Sequence, residues 1–288
     1  MLYLKATAAS MGLLKRMTLW AEKKYAGSIT KRTLAPGAAP IKPTGEAEPE
    51  QLAAMNDAWT ALLRTHVRPA TVDGLNFAAM DYSALAADER FEALLESFAA
   101  LDGAAVARWP KAAVCALYIN AYNALCANHI CARLRSGAPK PASITDLKEG
   151  GKDVWNAPAG SVAGRELSLN EIEHGILRTD FKEPRVHACV NCASRSCPDL
   201  LDEAYRGDDR LDAQLTAQLT KWLKEPAKGL YVDAGEVTLS RIFLWYSSDF
   251  DNKPAAFAAP FAPTHRAALE KSRHPGFFEY DWQLNTAA

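Results

Sequence analysis

One stretch limits the folding options of this 288-residue chain more than any other. It runs from Trp109 to Leu134, WPKAAVCALYINAYNALCANHICARL, and is the most apolar helix-forming run in the sequence. Pro110 suits a first helical turn, where its missing N–H costs nothing, and Gly137 suits the exit. Two amides, Asn120 and Asn123, lie one turn apart within this apolar run. A buried amide left without partners costs about 1–3 kcal/mol. Both must therefore bond something specific, such as loop backbone, a histidine or a substrate. Tyr118, Tyr122 and Cys126 form a stripe at helical spacing that reads as core. Cys115, Cys126 and Cys131 read as packing, and Cys126 beside His129 is weak evidence for metal.

The flanking chain mixes helices with a few strands. Helices are expected over 50–66, 87–101 and 211–224, and a short aromatic one over 242–248. Ser168 and Glu171 form a capping-box pattern ahead of Ile172–Arg178. Arg185–Val190 reads as a buried strand. Leu230–Val232 and Val237–Leu239 flank a Gly235-containing turn and read as an antiparallel hairpin. Helices and strands do not alternate regularly, so the expected class is α+β: a helix-rich single domain with a small, mainly antiparallel sheet. His66, His265 and His274 stand outside any motif and read as surface residues.

The globular part is expected over 50–288, behind two other segments. Residues 1–34 are basic: Lys5, Lys15, Arg16, Lys23, Lys24, Lys31 and Arg32 face one acid, Glu22. Leu13, Met17 and Trp20 recur at helical spacing, so this extension reads as a targeting segment or an amphipathic helix contacting a membrane surface. Residues 35–49 are rich in Pro and Ala and read as a linker. The net charge of −1 gives no chain-wide attraction to nucleic acid. No apolar run of about 18 residues suits a membrane-spanning helix. No cofactor is implied, and the compartment stays open.

The densest chemical vocabulary is RVHACVNCASRSCPDL at 185–200, which holds three of the six cysteines. Three uses compete. Cys192 is a nucleophile whose proton passes to His187 or His174, with Glu173 or an asparagine such as Asn120 orienting the imidazole. Strand alternation puts His187, Cys189 and Asn191 on one face and Cys192 on the other, so His187 reaches Cys192 only if the backbone turns near Asn191. In the second use, His187, Cys189, Cys192 and Cys197 ligate zinc, although the paired CxxC knuckles of a strong zinc signal are absent. In the third, Cys192 and Cys197 form a structural disulfide within a non-catalytic module that binds a protein or peptide. Asp249, in LSRIFLWYSSDF, reads as a structural cap or pair.

Several runs together resemble the family catalogued as domain of unknown function 547. They are YINAYNAL at 118–125, LSLNEIEHGILR at 167–178, PRVHACVNCASRSCP at 184–198, LSRIFLWYSSDF at 239–250 and EYDWQLN at 279–285. The resemblance implies an α+β domain with a remote, papain-like thiol-hydrolase similarity. It points to Asn120, Asn123, Glu173, His174, His187, Asn191, Cys192, Ser196 and Cys197. Family members usually carry an apolar residue at the position of Cys189, which weakens the zinc set. The leading expectation is a thiol-dependent hydrolase or acyl-transfer enzyme acting on an amide or ester, whether small molecule or peptide. Cys192, His187, His174, Glu173 and Asn120 are its catalytic candidates, and Asn123, Asn191, Ser196 and Cys197 its binding candidates.

Overall fold

The computed structural model describes residues 45–287; the basic extension and most of the Pro/Ala-rich linker lie outside the described residues. The class is α+β, as the sequence leads one to expect, and the described residues form two compact units.

The larger unit comprises residues 45–70, 77–215 and 282–287. Its first helix, α1 (Glu50–His66), buries Leu52, Met55, Trp59, Leu62 and Leu63 along the face read from their spacing. A hairpin follows, β1 (Val67–Val72) and β2 (Leu75–Met80), turning at Asp73-Gly74, where both φ angles are positive (51° and 79°). An Asp-Gly pair between strands is a hairpin signal that the periodicity argument passed over. The short α2 (Tyr82–Ala86) and α3 (Glu89–Ala99) start at aspartate caps, Asp81 and Asp88, and α4 (Gly103–Val106) at Asp102. Trp59 stacks on Phe91, with ring centroids 6.1 Å apart, and ties α1 to α3.

The centre of this unit is α5 (Lys111–Arg135), entered through Pro110 and left before Gly137 at φ 77°. Nearly every residue from Ala112 to Cys131 is buried, so this stretch of α5 is largely apolar all round because neighbours cover it. Helices α1, α2 and α3 pack on it, as does the hairpin of β5 (Pro158–Val162) and β6 (Arg165–Ser168). A smaller ladder, β3 (Lys148–Glu149) with β4 (Lys152–Asp153), precedes that hairpin. The next helix, α6, spans 169–180, and its middle, Glu171–Leu177, is π-helical. The capping pattern at its start is realised: Ser168 N–H and Oγ donate to Glu171 Oε2 at 2.8 Å, and Glu171 N–H returns to Ser168 Oγ at 3.2 Å. Helix α7 (Arg210–Leu223) begins in this unit.

The smaller unit comprises residues 71–76 and 216–281 among those described. The expected hairpin forms from β7 (Leu230–Asp233) and β8 (Glu236–Leu239), turning at Ala234-Gly235. After α8 (Ile242–Trp245), α9 (Pro254–Ala258) and α10 (Arg266–Lys271), a short β9 (Gly276–Phe277) pairs with β8 in parallel. Phe243 is the hub of an aromatic core, stacked on Trp222 at 5.0 Å and tilted against Phe250 at 4.8 Å. Gly229 seals this core. A Cβ there would lie 1.8 Å from the Trp222 carbonyl oxygen and 2.7 Å from its carbon, both main chain and unable to swing away. Gly229→Ala should therefore destabilise the protein by more than about 2 kcal/mol, read as a lower urea midpoint.

His66 corrects the surface reading. It is 7% exposed, and its Nε2 lies 2.8 Å from Asp88 Oδ2. It ends α1 against the cap of α3, a distant partner that no local motif announces. The Arg90 guanidinium holds the Asp88 carboxyl well below the usual carboxylate range; burial opposes this and the His66 contact reinforces it. A carboxyl depressed in the folded state contributes its full stability above the unfolded value, near pH 4, and loses it as pH falls further. Asp88→Asn keeps the cap acceptor but not the charge. Its stability deficit should be complete at pH 7 and narrow in denaturation curves taken below about pH 4.

A candidate thiol site on an asparagine-clamped loop

The segment 184–198 enters as a 3-10 helix, Pro184–Ala188, not as the expected strand. Glu183 explains the difference. Its carboxylate accepts the Arg185 N–H at 3.1 Å and grips the Arg185 side chain through Nε at 2.7 Å and Nη2 at 2.6 Å. Pro184 then supplies the fixed φ of a first helical turn. Val186 N–H donates to Glu183 O at 3.1 Å and Cys189 N–H to Val186 O at 2.8 Å. Arg185 also reaches Asp212 on α7 at 2.8 Å, anchoring the turn. His187, Cys189 and Asn191 therefore do not share a strand face.

Buried asparagines hold the loop that this turn leads into. Asn123, on α5, donates Nδ2 to Cys189 O at 2.9 Å and accepts Asn191 N–H on Oδ1 at 2.8 Å. Asn120, one turn earlier, grips Tyr205 in the same way: Nδ2 to Tyr205 O at 2.8 Å, and Tyr205 N–H to Oδ1 at 3.0 Å. Its Nδ2 also meets Asn56 Oδ1 at 2.8 Å. Both amides thus serve loop backbone, one of the three partners their burial demanded. Asn191 closes the loop on itself. Its Oδ1 accepts Ala193 N–H at 2.8 Å, and its Nδ2 donates to Pro198 O at 2.7 Å. Ala193 sits in the left-handed region at φ 59°, a conformation that costs a non-glycine residue and persists only where its surroundings impose it.

The C-terminal segment completes the clamp, a role that no pattern in the sequence revealed. Asn285 is 1% exposed. Its N–H donates to Ala193 O at 3.0 Å, its Nδ2 lies 3.3 Å from Asn191 Oδ1, and its Oδ1 accepts the Tyr82 hydroxyl at 2.5 Å. Arg195 N–H donates to Gln283 O at 2.9 Å, and Ser194 bridges to Leu284. The one signal in the sequence was the asparagine that ends EYDWQLN.

All six cysteines lie among the described residues, and Cys192 alone is not fully buried. No disulfide joins it to Cys197. Cys192 N–H instead donates to Cys197 Sγ at 2.9 Å, and Cys192 Sγ lies 3.1 Å from Ser194 Oγ. Cys197 and Ser196 are buried. Cys189 is buried with its thiol on Arg185 O at 3.3 Å, and burial pushes it up to about 12. Cys115, Cys126 and Cys131 are packed into α5, and burial raises all three thiols; Cys131 reaches about 12. Helix α6 packs on α5, and Asn123 ties the loop to the same helix.

The two histidine candidates have different neighbours. His187 is 2% exposed, and its Nδ1 lies 3.9 Å from Glu173 Oε1, an ion-pair rather than a hydrogen-bond distance. His174 Nδ1 is 3.3 Å from the Arg178 guanidinium, one turn along α6. The π-helical turn carries both Glu173 and His174; such turns recur at functional sites. Among the described residues no group of three or more His, Cys, Asp or Glu side chains is arranged to hold a metal ion, and no helix is long and apolar enough to cross a membrane.

A family model described as a protein of unknown function, DUF547, matches residues 106–223. That span holds α5, α6 and the whole loop. No curated protein and no solved structure matches the chain.

The clamp can be weighed. Asn123→Ala strands the Cys189 carbonyl and the Asn191 N–H and should cost about 2–4 kcal/mol in urea denaturation. Asn128→Ala, on the same helix but bonded to the exposed Arg135 side chain, should cost under about 0.5 kcal/mol.

Proposed function

Starting from a chain that belongs, through residues 106–223, to the DUF547 family, we propose a thiol-dependent hydrolase or acyl-transfer enzyme acting on an amide or ester. The observation that carries this is a division of environment. A buried imidazole–carboxylate pair joins Glu173 on α6 to His187, five residues before Cys192 on the same segment, and Cys192 is the one cysteine that is not fully buried. Papain-like thiol hydrolases supply the chemical analogy.

In this scheme His187 takes the proton of the Cys192 thiol, and Glu173 orients the imidazole and stabilises its cation. The thiolate attacks the substrate carbonyl carbon. The imidazolium then protonates the departing amine or alcohol, and water or a second acceptor releases the acyl group from the thioester. His174 is the weaker base, because its Nδ1 already faces the Arg178 guanidinium. Asn120, Asn123 and Asn191 act as positioning residues, since their amides are committed to loop backbone.

The oxyanion donor of this scheme is the Cys192 main-chain N–H. Cys192 N–H now donates to a sulfur, a weak acceptor. Redirecting it to a developing oxyanion would exchange a poor bond for a charge-assisted one, a gain made only in the transition state. The Ala193 N–H, held by the Asn191 amide, is the costlier donor to redirect.

An amide probe bearing an electrophilic warhead should label the wild-type chain and leave Cys192→Ala unlabelled, with both giving the same circular dichroism. Glu173→Gln should slow labelling at least tenfold and displace its pH profile. Unchanged labelling of Cys192→Ala would sink the assignment and favour a non-catalytic binding module.

A further inference from the structure

Cys197 has no part in the acyl-transfer scheme, yet it lies directly against the nucleophile. Its Sγ is 2.9 Å from the Cys192 main-chain nitrogen, and so within about 5.5 Å of the Cys192 Cβ by bond geometry. The five-residue spacing is already folded back: Cys197 N–H donates to Ser194 O at 3.2 Å, and Asn191 ties its own end of the loop to Pro198 O. The ends of the ring are thus pre-assembled, and closing it asks for little further loss of chain entropy. A disulfide needs the Cβ atoms about 3.5–4.5 Å apart; a shift of the loop backbone sets that separation, and rotation about the two Cα–Cβ bonds then swings the sulfurs to bonding range. The outer cysteine is part-exposed and the inner one buried, an asymmetry that separates a thiol met by a solvent-borne oxidant from one met only by its neighbour.

We infer that Cys192 and Cys197 form a peroxide-responsive pair, with Cys192 the oxidised thiol and Cys197 the resolving one. Its coupling to activity rests on the reading of Cys192 as nucleophile; the thiol chemistry does not. The Cys192 thiolate attacks one oxygen of hydrogen peroxide or an alkyl hydroperoxide. The O–O bond breaks, and the leaving hydroxide or alkoxide takes a proton. Cys192 is now a sulfenic acid, oxidised by two electrons. The Cys197 sulfur attacks the Cys192 sulfur, the S–O bond breaks, and hydroxide leaves with the Cys197 proton as water. The product is a disulfide that a dithiol reduces back. The same bond withdraws the nucleophile and removes the Cys197 thiol that Cys192 N–H addresses, so oxidation switches the site off while shielding Cys192 from irreversible oxidation.

The test is peptide mass spectrometry of the full chain after graded hydrogen peroxide and alkylation of remaining thiols. The expected result is a cross-linked pair of Cys192 and Cys197, lighter by two hydrogens, reversed by dithiothreitol. Probe labelling should vanish and return in step. Cys197→Ser at the same dose should drive Cys192 to sulfinic and sulfonic acid, which dithiothreitol does not reverse. Wild-type protein in which Cys192 over-oxidises while Cys197 is alkylated overturns the proposal, and so does a dose series in which neither cysteine reacts. The wild-type measurement stands even if the variant fails to fold. A disulfide in a protein that never labels with the amide probe would remove the hydrolase and keep the pair; labelling without a disulfide would do the reverse.

Discussion

Everything in the larger unit is arranged around a helix that is covered along most of its length. Each polar group buried on α5 must therefore find a partner inside the protein. Asn120 and Asn123 meet that demand by binding the main chain of two loops, each amide donating and accepting at once. The arrangement works both ways. The helix satisfies its amides, and loops with no regular ladder of their own gain a fixed position. The candidate site is one of these loops, which is why it can hold a left-handed alanine at Ala193 beside Cys192.

The loop is fixed from three directions that are far apart in the chain. Asn123 holds it from α5, Glu183 and Arg185 fix its entry, and Asn285 closes it from the C-terminal segment. Preorganisation of this kind matters for a thiol site, because a nucleophile held within a narrow range of positions spends less entropy at the moment of reaction. It also seats the Cys197 sulfur 2.9 Å from the Cys192 main-chain nitrogen, so one clamp supports both the proposed chemistry and its proposed redox control.

How far the sequence could be read depended on how local each signal was. The bounds of α1 and the β7–β8 hairpin, the Ser168–Glu171 cap and the Pro110 start of α5 all arise from residues within a few positions of each other. The chemical segment 185–200 stood out through its residue types. Its conformation did not, because an apolar run before a turn fits a strand or a tight helix equally well, and the deciding group, Glu183, lies just outside it. His66 was misplaced on the surface for the related reason that Asp88 is 22 residues away.

The sequence by itself determined the α+β class, helices α1 and α5 and the β7–β8 hairpin, and it concentrated thiols, imidazole and amides in one segment. It also established that Asn120 and Asn123 needed partners, since burial in an apolar helix makes that an energetic necessity. Only the tertiary structure decided what those partners are. It gave the asparagines loop main chain as partners, left Cys192 partly exposed with the Cys197 sulfur against its main-chain nitrogen, and set Glu173 beside His187. Each of these depends on contacts between residues separated along the chain, and a hydrogen bond or an ion pair is fixed by distance in space, to which spacing in sequence is blind.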